Sequence, residues 1–166
     1  MKQPRTNSPE RFRNRVLRLI ADGRYDDALQ ACDEAMDVMS SAEQHRILDY
    51  RALVEWEAGR KCDAINTMME ATKKNPRWAG HHYQISLWLI ELGRYEDAVR
   101  SADALIELEQ ERQSTAFLDA GLFLKSFALL RSGHTSMGRA LLERVKDEQP
   151  VWIAGRLVSK NDLLGH

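Results

Sequence analysis

The sequence holds few cysteines and prolines, and it has no long apolar run. Cys32 and Cys62, its two cysteines, lack the paired spacing of metal ligands, so we interpret them as small buried side chains in a reducing cytosol, with a disulfide or a reactive thiol as the alternative. The apolar stretches, such as residues 85–90, are far shorter than the ~20 residues of a membrane-spanning helix. The opening residues, MKQPRTNSPE, lack the apolar segment of a signal peptide, so a cytoplasmic location is predicted.

An excess of either charge is also missing, because 24 lysines and arginines stand against 25 aspartates and glutamates. Without a bulk positive field the chain is not expected to gather nucleic acid or an anionic membrane surface. Both are therefore excluded from the predicted partners.

The sequence lacks the common motifs of catalysis, since no GxxxxGKS/T, HExxH or GxSxG string occurs. His81 and His82 are adjacent, and neighbouring side chains on a helix diverge by about 100°, so the pair cannot grip one metal ion. We predict no catalytic residue, no metal site and no cofactor, and we expect a protein that is not an enzyme. An enzyme with an unrecognised site is the alternative.

One segment of the sequence is repeated with few changes: GRYDDALQACDEA at residues 23–35 resembles GRYEDAVRSADAL at residues 93–105. Glycines with the same kind of surroundings stand at 23, 59, 93 and 133, at intervals of 36, 34 and 40 residues. Apolar residues at helical spacing lie on both sides of each glycine. Each unit is therefore predicted to be a helix, a tight turn at glycine and a second helix. Ser8 followed by Pro9 predicts the start of the first of these helices.

Small residues recur at fixed distances from these glycines. Five positions after them lie Ala28, Ala64, Ala98 and Gly138, and seven positions before them lie Val16, Ala52, Ser86 and Ser126. Two antiparallel helices can approach closely only where such side chains face each other. The repetition is thus predicted to be a packing pattern.

These units resemble tetratricopeptide (TPR) repeats, which have small residues in both helices, glycine then an aromatic residue in the turn, and a closing proline. The matching residues are Gly23, Tyr25, Ala28 and Ala35; Gly59, Ala64, Ala71 and Pro76; Gly93, Tyr95 and Ala98; and Gly133 and Pro150. The pattern is broken by Lys61 and Thr135 in the turns, Ser40 and Gln110 at the closing position, and Leu105 and Val145 in the second helices.

The resemblance implies an all-α, TPR-type helical-hairpin solenoid that winds as a right-handed superhelix. We expect a single domain over residues 1–166, with units at about 9–42, 45–78, 79–112 and 119–150. Residues 151–164 are predicted to form a helix that caps the end of the stack.

In proteins of this architecture the first helices of successive units line a groove, and helical spacing here predicts an apolar and aromatic groove wall. The predicted partner-binding residues are Arg13, Leu17, Asp49, Tyr50, Leu53, Trp56, Tyr83, Leu87, Phe123 and Phe127. Such a wall favours an apolar or amphipathic segment of another protein, as in a small chaperone, an immunity-type inhibitor or an assembly adaptor.

Three alternatives remain open for this wall. A register shifted by one residue would place part of it in the core, the C-terminal segment could fill the groove, or a second copy could bury the same face in a structural homodimer. The carboxylate clamp of chaperone-tail adaptors is not predicted, because only Arg13 and Asn14 fit it. The other clamp positions hold Leu17, Tyr50, Gly80 and Gln84.

Overall fold

The computed structural model describes residues 8–146 and 150–165. The chain divides into two compact units, Met1–Pro76 and Arg77–His166. The helices of the first unit are α1 (Pro9–Ala21), α2 (Tyr25–Met36), α3 (Gln44–Glu57) and α4 (Lys61–Lys74). Those of the second are α5 (Ala79–Glu91), α6 (Tyr95–Glu111), α7 (Leu118–Arg131), α8 (Thr135–Leu142) and α9 (Lys160–Leu164), with strands β1 (Val151–Ile153) and β2 (Arg156–Val158).

Helix α1 begins where the sequence predicts. The Ser8 hydroxyl accepts a 3.3 Å hydrogen bond from the backbone N–H of Arg11, and Pro9 occupies the first turn, where no backbone donor is needed. At the other end Gly23 has φ +68°, and the N–H of Arg24 donates to the Leu19 carbonyl at 2.8 Å. The tight turn predicted at this glycine is confirmed, and its left-handed backbone lets the Arg24 N–H satisfy one of the last carbonyls of the helix. The same turn recurs at Gly59, Gly93 and Gly133, with φ +79°, +71° and +89°.

In the first unit, small residues form the contact between paired helices. Val16, Ala28, Ala52 and Ala64 are all completely buried. Helix α1 packs on α2, α2 on α3, and α3 on α4, so each helix buries the face that carries these residues. The predicted packing pattern is confirmed here.

In the second unit, the small residues at these positions include two serines. Ser86 and Ser126 are completely buried, and each hydroxyl donates at 2.8 Å to a carbonyl one turn earlier, His82 and Leu122 respectively. Their polar groups are thus satisfied inside the helix, so they can pack like small apolar residues. Gly138 is equally confined, because a Cβ placed there would lie 2.8 Å from the Leu130 side chain.

The prediction of a C-terminal capping helix is wrong for residues 151–158, which form a β-hairpin. Strands β1 and β2 are antiparallel, and Trp152 pairs with Leu157 on the outward face. Ile153 and Val158 are buried on the inward face, whereas Arg156, which pairs with Ile153, is exposed. The helix is confined to α9, which starts at a capping box of Ser159 and Asp162. Residues 147–149, just before the predicted end of the fourth unit at about residue 150, lie outside the described residues.

Candidate protein-binding surfaces

A cleft of about 330 Å³ opens beside helices α1 and α3 of the first unit, and it is called the α1–α3 cleft below. Phe12 and Tyr50 form one wall, where the two rings meet edge to face with centroids 5.7 Å apart and planes at 83°. Both rings are half-buried and pack against the core of this unit. The cleft is lined by Pro9, Glu10, Phe12, Arg13, Met39, Glu43, Arg46, Ile47 and Tyr50.

Charged groups surround the aromatic pair in this cleft. Arg13, Arg46 and Glu10 are exposed, and within the described part of the chain no ion pair engages their side chains. Glu43 differs, because its carboxylate accepts a 2.8 Å hydrogen bond from the Ser40 hydroxyl. The cleft thus combines an aromatic wall with two guanidinium groups that are available to an incoming carboxylate.

The second unit carries an aromatic cluster of Trp78, Tyr83 and Phe117, called the Trp78 cluster below. The Phe117 ring lies 6.5 Å from Trp78 and 5.6 Å from Tyr83 between centroids. Trp78 is 47% exposed, while the other two rings are half-buried. Gly80 allows this arrangement, because a Cβ at residue 80 would lie 2.7 Å from Nε1 of the indole. The cluster is therefore an aromatic surface in direct contact with solvent.

The structure brings only part of the predicted groove wall to these surfaces. Arg13 and Tyr50 meet in the α1–α3 cleft, and Tyr83 belongs to the Trp78 cluster. Leu17, Asp49 and Leu53 are half-buried and line neither surface.

Four residues of the predicted wall are buried. The expectation that they form an open surface is therefore corrected. Trp56 is 7% exposed, Leu87 9%, Phe123 2% and Phe127 6%. Helix α5 shows why Leu87 is buried, since six consecutive residues of this helix, from Ile85 to Ile90, are all buried. At about 100° per residue these six residues point in every direction around the helix, so no side of this segment is open.

Sequence reasoning missed Phe12, Trp78 and Phe117. All three lie at or near the start of a first helix, and Trp78 directly precedes α5 after the helix-stopping Asn75–Pro76. An aromatic residue at the start of three of the four first helices was the available signal, and it is distinct from the periodic pattern inside the helices.

The titratable groups show how burial controls their chemistry. Burial raises the pKa of the Cys32 thiol to about 12, whereas Cys62 is exposed. Burial also raises the pKa of Tyr83 and lowers that of His82. Among the described residues no three His, Cys, Asp or Glu side chains converge as metal ligands. None of the helices in the described ranges is long and apolar enough to cross a bilayer.

Antiparallel helix pairs, left-handed glycine turns and buried small residues together define the TPR fold, and solved structures confirm this fold class. MamA from Desulfovibrio magneticus RS-1 (residues 41 to the end) aligns with 82% of this chain and 72% of its own, at TM-score 0.65 and 15% identity. A putative kinesin light chain from Podosopora anserina with nearly identical TPR-like repeats covers 84% and 75%, at TM-score 0.64 and 13% identity.

The Sgt2 TPR domain from Aspergillus fumigatus is also similar, with 81% of this chain and 89% of that domain aligned, at TM-score 0.59 and 17% identity. No family model matches the sequence, and no curated protein matches it. At these identities the similarity shows the fold.

Proposed function

We propose that this protein is a non-catalytic protein-interaction module whose α1–α3 cleft binds an amphipathic segment of a partner protein. One observation carries the proposal: Arg13 and Tyr50, which lie on two successive first helices, line the same cleft. The edge-to-face contact with Phe12 fixes the Tyr50 ring, so little side-chain freedom is lost when a ligand packs on it.

The lining of the cleft suggests the chemistry of its ligand. A space of about 330 Å³ accommodates one or two side chains, and its aromatic wall favours an apolar one. Arg13 and Arg46 would pair with a carboxylate beside that apolar side chain. The half-buried Leu17, Asp49 and Leu53 are proposed to extend the contact, and the Trp78 cluster, with Tyr83, is proposed as a second contact surface. A small chaperone, an immunity-type inhibitor and an assembly adaptor are the roles that such a module would serve.

Selection from a phage-displayed library of random 12-residue peptides tests the proposal. We expect enriched peptides that combine an apolar side chain with an acidic one. Their affinity, measured by fluorescence anisotropy, should fall about fivefold or more with Tyr50→Ala and with Arg13→Glu, since truncating an anchor costs more than ~1 kcal/mol.

Matched controls separate binding from folding. Tyr25→Ala removes another half-buried ring from the same core, and Arg18→Glu reverses another exposed charge of α1. Both controls should leave peptide affinity unchanged, while circular dichroism confirms that all variants fold. Enriched peptides that bind Tyr50→Ala and Arg13→Glu as tightly as the wild type would exclude this cleft. A tight dimer in sedimentation that Tyr50→Ala dissociates would instead support the structural homodimer.

A further inference from the structure

The C-terminal β-hairpin of the second unit lies on a first helix. Strand β1 packs against α5, and the inward side chains Ile153 and Val158 are 1% and 2% exposed. The outward pair of Trp152 and Leu157 is 60% and 58% exposed. The hairpin thus uses alternate aliphatic side chains to cover part of the helix row on which a partner groove is expected.

Three residues of this helix row were predicted to be open. Leu87 lies on α5, and Phe123 and Phe127 lie on the adjacent α7, yet all three are buried. These three side chains therefore lie in the core of this unit. The hairpin contacts one of the two helices that carry them, α5.

The hairpin has few means of stability apart from this docking. Each strand has three residues, and an isolated two-stranded hairpin is marginal in water. Ala154 has φ +48° and Gly155 φ +79°, so the turn places an alanine in the left-handed region that such turns usually reserve for Asn, Asp or Gly. A hydrogen bond of 2.9 Å from Nζ of Lys160 to the Val145 carbonyl anchors the following helix.

We propose that residues 150–165 are a resident ligand of α5, and that an extended segment of a partner protein binds the same face by replacing them. The resident strand shows the chemistry of that partner: β-branched aliphatic side chains at alternate positions, like Val151 and Ile153. This surface is separate from the α1–α3 cleft, so a negative result for ligand binding in that cleft would not contradict hairpin exchange on α5, and the reverse also holds.

A labelled synthetic peptide with the sequence of residues 150–165 tests the exchange on the full-length chain. Ile153→Asp combined with Val158→Asp in the protein places charges on the inward face and releases the resident hairpin. We expect this variant to bind the labelled peptide about tenfold more tightly than the wild-type chain does, because its binding face is vacant. Trp152→Asp combined with Leu157→Asp changes the outward face alone and should behave as the wild type.

The turn offers a second route that adds no charge. Gly155→Val opposes the left-handed turn and should also raise peptide binding, whereas Gly155→Asn, which tolerates this conformation, should not. An unlabelled peptide with Val and Ile at alternate positions among threonines and lysines should displace the labelled one, and its Asp-substituted version should not.

Three results would overturn the proposal. The first is a released variant that keeps its helical circular dichroism but does not bind the peptide. The second is loss of helical signal in both released variants, which would make the hairpin an integral part of the fold. The third is a wild-type dimer that exchanges hairpins between copies, which would assign the face to a second copy of this chain.

Discussion

The backbone N–H of Phe117 donates a 2.8 Å hydrogen bond to Oε2 of Glu109, a carboxylate that is completely buried. The Ser114 hydroxyl donates to the same oxygen at 2.9 Å, and an Arg112 nitrogen lies 3.7 Å from the other oxygen. The carboxylate therefore organises the connection between α6 and α7. It also fixes Phe117, whose ring contacts those of Trp78 and Tyr83.

Replacing the Glu109 carboxylate should make the protein less stable towards unfolding. We expect Glu109→Ala to lower the free energy of unfolding by about 2–4 kcal/mol, because a part-buried N–H and a part-buried hydroxyl lose their acceptor. Glu109→Gln keeps one acceptor oxygen and should cost about 1 kcal/mol. Urea denaturation measures both, with Glu107→Ala at an exposed position as the control. Equal midpoints for Glu109→Ala and Glu107→Ala would contradict this role.

Close packing of α7 and α8 makes Gly138 sensitive to added volume. The Cβ of any other residue would lie 2.8 Å from the Leu130 side chain and 3.1 Å from the Ser126 carbonyl oxygen. We expect Gly138→Val to lower the free energy of unfolding by about 1–3 kcal/mol through overpacking. Ala140→Val lies on the exposed side of the same helix and should change it by less than ~0.5 kcal/mol. Similar thermal midpoints for the two variants would show that these helices are not tightly packed.

Acidification should destabilise the protein through His82. Burial, with a smaller contribution from His81, lowers the pKa of His82 below its ordinary 6.5. The unfolded state then binds the proton more readily, so stability present above pH 6.5 is lost as the pH falls from there to the folded pKa. Urea denaturation at pH 7.5, 6.5 and 5.5, spaced about that value, should show a smaller decline for His82→Gln than for the wild type. The exposed His134→Gln is the control, and an identical pH dependence in all three proteins would disprove the effect.

The sequence predicted the helix pairs well because their signals are local. A glycine at the end of a first helix needs only its own backbone conformation, and all four glycines have it. The small residues were equally informative, since steric exclusion depends on side-chain size and not on the wider surroundings.

The side of each helix that faces solvent was harder to predict. Periodicity marks a face only when the opposite face is polar, and α5 is apolar from Ile85 to Ile90 apart from the small Ser86. A helix buried on every side gives no such contrast. Leu87 and Phe123 were consequently predicted to be open, whereas the structure has them in the core.

The hairpin was missed for a different reason. Its strands have three residues each, which is too short for alternation to be distinguished from one turn of a helix. Its turn is Ala154–Gly155, and alanine gives none of the signal that Asn-Gly gives at such turns. Docking on α5, which is a tertiary contact, completes what the local sequence does not specify.

The contrast between the two cysteines has a practical consequence for single-molecule work. Cys32 is sealed inside the first unit and holds its proton, while Cys62 lies exposed on α4. A maleimide dye would therefore attach at one defined point of the native chain without prior mutagenesis. The Cys62 thiol would also attach the protein to a sensor chip in one orientation, through α4.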